Sequence, residues 1–278
     1  MTCQTLVQAI LSSGFKVTHD SPHPTRTLQF LMKKTIPSKD LVRLLRERKV
    51  VNRQSISNEG FCGERWPEFI AIGSIFNRCD FSDTRFEQVC FGHGLNQSRY
   101  VDCCFDGTEI DASTPGNARF ERCTFRYAKI QEFKGLNVEF IDCFFSGLIK
   151  EGLFNGTPRR DTVTPRLSRT QNEFHGNDFS NAELIDIGFR SGIDLSLQRL
   201  PKGDDYIYVE DGRRFLQNLP STGLAEKHGD PFSAIEHVLQ MELAGEQRQL
   251  FLSIKGFPAR DRPMLVDLKR IAEGKLLA

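Results

Sequence analysis

Tryptophan occurs once and tyrosine four times in this 278-residue sequence, against 23 phenylalanines. Its aromatic content is therefore almost entirely flat rings with no polar tip to satisfy, and the fold has to supply the reason. No stretch approaches the roughly 18 apolar residues of a membrane span. The opening, MTCQTLVQAILSSGFK, lacks the basic start, apolar run and small-residue cleavage site of a secretion signal, so a cytoplasmic location is expected. A net charge of only +1, with 26% of residues charged, excludes a basic excess spread over the whole surface for nucleic acid. A phosphate loop, a nucleophile elbow and a metal-binding histidine pair are also missing. The GHG at Gly92 to Gly94 and the scattered His19, His23, His175, His228 and His237 have no partner at a useful spacing, so no enzyme activity, cofactor or metal is expected.

What is present is a beat of five. In RFERCTFRYAKI, the residues Phe120, Phe125 and Ile130 fall five apart, whereas helices repeat every 3.6 residues and strands every two. Aligned by twenty, RYVDCCFDGTEI from Arg99, RFERCTFRYAKI from Arg119 and EFIDCFFSGLI from Glu139 share one frame of aromatic, cysteine and phenylalanine. The frame also holds at Phe76, Phe81, Phe86 and Phe91, and again at Phe174, Phe179, Leu184 and Phe189. Two positions before each large residue stands a small or apolar one, among them Cys79, Thr84, Cys103, Thr108, Ala118, Cys123, Ala128, Cys143 and Ala182. A spacing of two puts both on one face of a short extended segment. The intervening polar residues can turn a corner, and four such corners make one lap. Laps stacked at about 4.8 Å form a solenoid cored by columns of like side chains.

This pattern resembles the pentapeptide-repeat family, over about residues 74 to 195. The resemblance implies a mainly β fold, a right-handed quadrilateral β-helix, here of about five coils. Expected boundaries are an N-terminal segment at 1–73, the β-helix at 74–198 and a helical C-terminal extension at 199–278. Cys79, Cys103, Cys123 and Cys143 all precede the second phenylalanine of their laps, which predicts a packed column of thiols. A line of thiols is a poor tetrahedral metal site. Cys3, Cys62, Cys90 and Cys104 fit no ligand spacing.

The beat breaks twice. Nine residues instead of five separate Phe91 from Tyr100, predicting an extruded loop near 92–97; 34 instead of twenty separate Phe140 from Phe174, predicting a longer one at 151–171. The longer insertion carries Arg159, Arg160, Arg166 and Arg169. Insertions in solenoids project from one face and often carry function, so these four arginines are the candidate partner-binding residues. Ahead of the repeat, PSKDLVRLLRERKVV reads as a basic amphipathic helix with Leu41, Leu44 and Leu45 on one face, a candidate cap. After Leu200 the beat disappears. YIYVEDGRRFLQNLP reads as a short strand and helical turn, and DPFSAIEHVLQMELAGEQRQLFLSIKGF and DRPMLVDLKRIAEGKLLA read as helices, able to cap the solenoid or to form a homodimer.

Two partner readings follow. Characterised members of the family bind DNA gyrase, a type II topoisomerase, and protect it from quinolones or peptide toxins, some through essential loops; the resemblance therefore implies a protein partner of that kind. Residues 74–150 carry nine Lys or Arg and eleven Asp or Glu, a net of −2. Duplex DNA carries on the order of fourteen negative charges over the roughly 24 Å that five laps span. Mimicry of DNA by the whole surface is not supported, and direct nucleic-acid binding is not expected. The alternative is a scaffold or adaptor acting through its terminal regions. Acidic residues gathered on one face favour the first reading; a neutral rod beside an exposed apolar patch on the C-terminal helices favours the second.

Overall fold

A computed structural model describes residues 48–159 and 167–275. They all belong to one compact unit, Glu47–Ala278. The expected amphipathic helix around Leu41, Cys3, and the candidates Arg160 and Arg166 lie outside the described residues.

The chain is mainly β and winds as a four-sided solenoid of about five turns. One face is a parallel sheet of six short strands: Ser55–Ser57, Ile75–Asn77, Ser98–Val101, Ala118–Glu121, Glu139–Ile141 and Phe174–His175. Its register pairs Ile56 with Phe76, then Tyr100, Phe120, Phe140 and Phe174 in turn. Subtracting these positions gives laps of 20, 24, 20, 20 and 34 residues, so the two long laps hold the two insertions.

The phenylalanine excess is accounted for by stacking. Phe76, Tyr100, Phe120 and Phe140 stack at 4.7, 4.7 and 4.9 Å. Phe81, Phe105, Phe125, Phe145 and Phe179 make a second column at 4.8, 4.9, 4.8 and 4.5 Å. These distances equal the separation of neighbouring strands, so the backbone pitch itself sets the ring spacing. The columns meet edge to face, as at Tyr100 and Phe105, an arrangement that aromatic quadrupoles favour. A phenol here would need a partner for its hydroxyl; Tyr100, fully buried, has one because it donates to the Phe91 carbonyl at 3.0 Å.

Beside these rings runs the column of thiols. Cys79, Cys103, Cys123 and Cys143 are buried and reduced, and each donates to a carbonyl one lap earlier: Ile56, Phe76, Tyr100 and Phe120. In the next lap Asn177 takes over, donating from Nδ2 to the Phe140 carbonyl at 2.9 Å. Corners are made two residues after each inward ring, where Arg78, Asp102, Arg122 and Asp142 all adopt φ between 50° and 53°. That conformation costs an L residue roughly 1–2 kcal/mol, which the packed columns on either side offset.

Three details of the coils differ from the sequence expectation. The coil frame extends back past residue 74, because Val51, Phe61, Trp66 and Ala71 keep the beat without looking alike, and Arg48–Asn52 pairs with Glu68–Ile72. Next, Phe145 and Ile149 are four apart: Ala128 pairs with Gly147 and Ile130 with Ile149, so one corner is a residue short. Gly147 makes this possible with φ 91°, where a Cβ would lie 2.4 Å from the Ala128 carbonyl oxygen. This contraction conceals the frame at Phe154, so the strand Phe144–Asn155 runs through residues 151–155, expected to be loop, and pairs with Asp178–Arg190. The long insertion is therefore 157–171, closed at its neck where the Asn172 amide donates to the Gly156 carbonyl at 2.8 Å.

Beyond the last coil, strands Tyr206–Val209 and Leu250–Ser253 pair antiparallel. They pack with α1 (Gly212–Asn218), α2 (Leu224–His228), α3 (Asp230–Glu242) and α4 (Arg262–Ala272) around a second core that includes Leu224, Leu239 and Leu265. The segment at 250–253, expected to be helical, is a strand, because Gly245 in the left-handed region separates it from α3 and the partner strand claims it. This module closes the open coil. The Gln247 side chain accepts from the Gly192 amide at 3.1 Å and donates to the Ile193 carbonyl at 3.1 Å, and Gln249 accepts from the Leu195 amide at 2.7 Å. Phe251 joins the solenoid core against Phe189 at 5.9 Å. Without these partners the last coil would present unpaired backbone groups, a template for strand addition.

Candidate partner-binding corner

Both insertions are tied to the same corner of the rod. The first spans 94–97, where Leu95 is 62% exposed. It is held from the next coil by Asn117, whose Nδ2 donates to the Leu95 carbonyl at 2.8 Å, and from the coil beyond by Glu139, whose Oε2 accepts from the loop's own Gln97 Nε2 at 2.7 Å. Asn117 stands where its own amide pairs with the Gly92 carbonyl at 2.6 Å, at the base of the loop.

The second insertion returns to the rod through Arg169. Its guanidinium donates to Asn117 Oδ1 at 2.6 Å, to the Asn137 carbonyl at 2.6 Å and to Asn172 Oδ1 at 3.0 Å, and lies 3.3 Å from Glu139 Oε1. Asn172 in turn donates to the carbonyls of Leu136 and Asn155 at 3.1 and 2.8 Å. Asn137 Oδ1 accepts from the Arg159 amide at 2.8 Å, fixing the outgoing arm. Three asparagines and one glutamate thus anchor both loops.

Charge at the corner is compensated internally. The Glu139 side chain is only 4% exposed and lies between Arg169 and Arg119, the latter 3.1 Å from Oε2. Burial pulls Arg119 down, but hydrogen bonds to Glu173, Glu121 and Glu139 outweigh it and hold the guanidinium above its ordinary value. Burial pushes Arg169 below its ordinary value, though a guanidinium remains charged throughout the physiological range.

Of the four candidate arginines, two are therefore described. Arg159 is exposed at the rim of the long loop, whereas Arg169 is turned onto the rod as an anchor. Leu95, Asn117, Asn137, Glu139 and Asn172 were not singled out from sequence. The twenty-residue spacing of Asn117 and Asn137 was the one available signal for them.

Along the rest of the rod, outward charges pair between neighbouring laps. Arg65 meets Glu87; Arg85 and Lys129 both meet Glu109 at 3.2 Å. Arg99 meets Glu121, Arg122 meets Asp102 and Arg126 meets Asp106, at 2.7, 2.7 and 3.0 Å. These carboxylates are interleaved with arginine and lysine, not gathered into an acidic face. A cavity of about 580 Å³ lies between the last coil and the C-terminal module, lined by Leu195, Leu200, Tyr206, Phe251 and Lys269. The Lys269 ammonium there already donates to the Gly203 carbonyl at 2.7 Å. Among the described residues, no helix is long and apolar enough to cross a membrane, and no three His, Cys, Asp or Glu side chains come together as metal donors.

Fold and corner together define the class: a β-solenoid with a closed C-terminal end and two insertions whose bases share one anchor. No protein-family model matches the chain, and no curated protein sequence matches it. Similar solved structures include a trypsin-treated form of QnrB1, described as a plasmid-mediated fluoroquinolone resistance protein. It is 14% identical, with 55% of this chain and 78% of that chain covered and a TM-score of 0.25. The full-length form of the same protein is 16% identical, with 55% and 81% covered and a TM-score of 0.21.

Proposed function

We propose that this chain is a non-enzymatic, protein-binding solenoid that engages its partner through the corner shared by the two loops. The partner proposed is a type II topoisomerase, DNA gyrase, protected from inhibitors by the contact. The observation that carries the reading is the convergence of both insertions on Asn117 and Glu139. Loop bases fixed to a shared anchor hold their attachment points in one geometry, which lowers the ordering cost of binding. The choice of gyrase rests on the resemblance of the repeat to the pentapeptide-repeat family. The paired charges of the rod argue that the contact is made by loops and shape, not by imitation of the DNA backbone.

By the charge criterion the neutral rod, with no acidic face, favours the second reading, a scaffold or adaptor. Its binding surface would be the C-terminal module, where Met241 and Val266 are 46% and 50% exposed on α3 and α4.

The test is a gyrase supercoiling assay with and without a quinolone, using the whole chain, a Leu95→Asp variant and a variant with residues 157–171 replaced by a short glycine linker. Protection or inhibition that both variants lose supports the topoisomerase reading. No effect of the unaltered chain at micromolar concentration sinks it and leaves the adaptor.

A further inference from the structure

We infer that Arg169 couples the returning arm of the long insertion, residues 167–172, to the short loop, so that loosening the long insertion's base at this residue also loosens the short loop. The inference deepens the reading of the corner as the partner site and rests on it for its functional meaning; the coupling itself is a property of the free protein. Both side chains that hold the short loop also hold Arg169. Asn117 donates from Nδ2 to the Leu95 carbonyl while its Oδ1 accepts from Arg169. Glu139 accepts from Gln97 on Oε2 and faces Arg169 on Oε1. An asparagine amide is planar, so its two ends cannot be reoriented separately, and the Arg169 contact fixes which end faces Leu95.

Geometry makes the residue type matter. A guanidinium offers five N–H donors in one rigid plane, and here they reach Asn117, Asn137, Asn172 and Glu139 together. An ammonium can keep the charge near Glu139 but cannot span this set. With Arg169 removed, oxygens of the buried Asn117 and Asn137 lose a charged donor, and Glu139 keeps only Arg119 as a nearby cation among the ion pairs described.

Residue-resolved hydrogen exchange on the full chain tests this. The reporters are the amides flanking the short loop, His93 and Ser98, which donate to the Ala71 and Asn117 carbonyls at 2.7 and 3.1 Å. Arg169→Ala is expected to speed their exchange roughly tenfold or more, the loss of one to two charge-assisted hydrogen bonds, with Cys123 and Phe125 amides unchanged. Arg169→Lys should reproduce most of that change. Asn117→Asp keeps the acceptor for Arg169 but loses the donor to Leu95, so His93 and Ser98 should speed up while the Asn172 amide at the neck stays slow. Change confined to residues 167–173 in Arg169→Ala overturns the coupling. So does a uniform rise along the rod, which would make Arg169 a general stability residue. None of these outcomes depends on gyrase, so a failed supercoiling assay with intact coupling condemns only the choice of partner.

Discussion

The Cys123 thiol donates to the carbonyl of Tyr100 one lap earlier, 3.3 Å away, and Cys143 repeats the relationship to Phe120 at 3.5 Å. Burial pushes the Cys123 thiol well above its ordinary value, and the thiol hydrogen bond with Cys123, reinforced by burial, raises Cys103 likewise. Thiolate is the reactive form, so the column is chemically silent. A maleimide added to the native protein should label the exposed Cys62 and leave Cys103 and Cys123 untouched until denaturant is present, as read by peptide mapping. Labelling of Cys103 at the rate of Cys62 would show that the coils open readily.

Gly147 should tolerate no side chain. At φ 91° an L residue is strained, and its Cβ would meet the Ala128 carbonyl oxygen at 2.4 Å. Gly147→Ala is expected to lower stability by about 3 kcal/mol or more, combining backbone strain with displacement of a packed strand. Urea unfolding measures it. A loss under about 1 kcal/mol would mean that the shortened corner can relax.

Closure of the last coil depends on two amide side chains. Gln247→Leu strands the Gly192 amide and the Ile193 carbonyl, and Gln249→Leu strands the Leu195 amide. A buried polar group left unpaired costs about 1–3 kcal/mol. The double variant is expected to gain protease cleavage near residues 198–205 and concentration-dependent association through the uncovered edge. A variant that stays monomeric by light scattering and resists protease would show that Phe251 packing alone holds the module.

Acid should weaken the corner in a defined direction. The Arg119 hydrogen bond holds the Glu173 carboxyl below its ordinary 4.5, and Glu121 is also lowered, burial opposing and hydrogen bonds to Arg99 and Arg119 prevailing. Depressed carboxylates stabilise the folded state fully above their unfolded values, and that contribution is lost as pH falls through the lower folded values. In Arg119→Met the deficit relative to the unaltered chain should therefore be largest near neutrality and shrink from about pH 4.5 downward, seen as converging urea midpoints. A deficit independent of pH would assign Arg119 a packing role only.

How much of this was legible beforehand depends on what repeats. Phe76, Phe81, Phe120 and Phe125 recur because strand pitch stacks like on like, so spacing alone exposed the columns and the thiols between them. Val51, Trp66 and Ala71 occupy equivalent slots with unlike shapes, which hid the first coil. A missing residue between Phe145 and Ile149 shifted the frame and assigned 151–155 to a loop. The corner was less visible still. Its anchors are single contacts between distant laps, such as Arg169 with Asn117, 52 positions apart, and no local pattern marks an arginine as turned inward. Composition also gave no hint that Leu250–Ser253 would pair with Tyr206–Val209 instead of extending a helix.

The interleaving of Arg85 with Glu109, Arg122 with Asp102 and Arg126 with Asp106 has a kinetic side. Opposite charges a few ångströms apart cancel beyond roughly one Debye length, about 8 Å at physiological salt, so an approaching molecule feels little pull until it is nearly in contact. Encounter with a partner that meets this part of the rod should then proceed at the unsteered rate, about 10⁵–10⁶ M⁻¹s⁻¹, and change little with ionic strength. If the proposed corner is the contact site, selectivity would then lie in how long a complex lasts, so that residence time and not attraction would separate one partner from another.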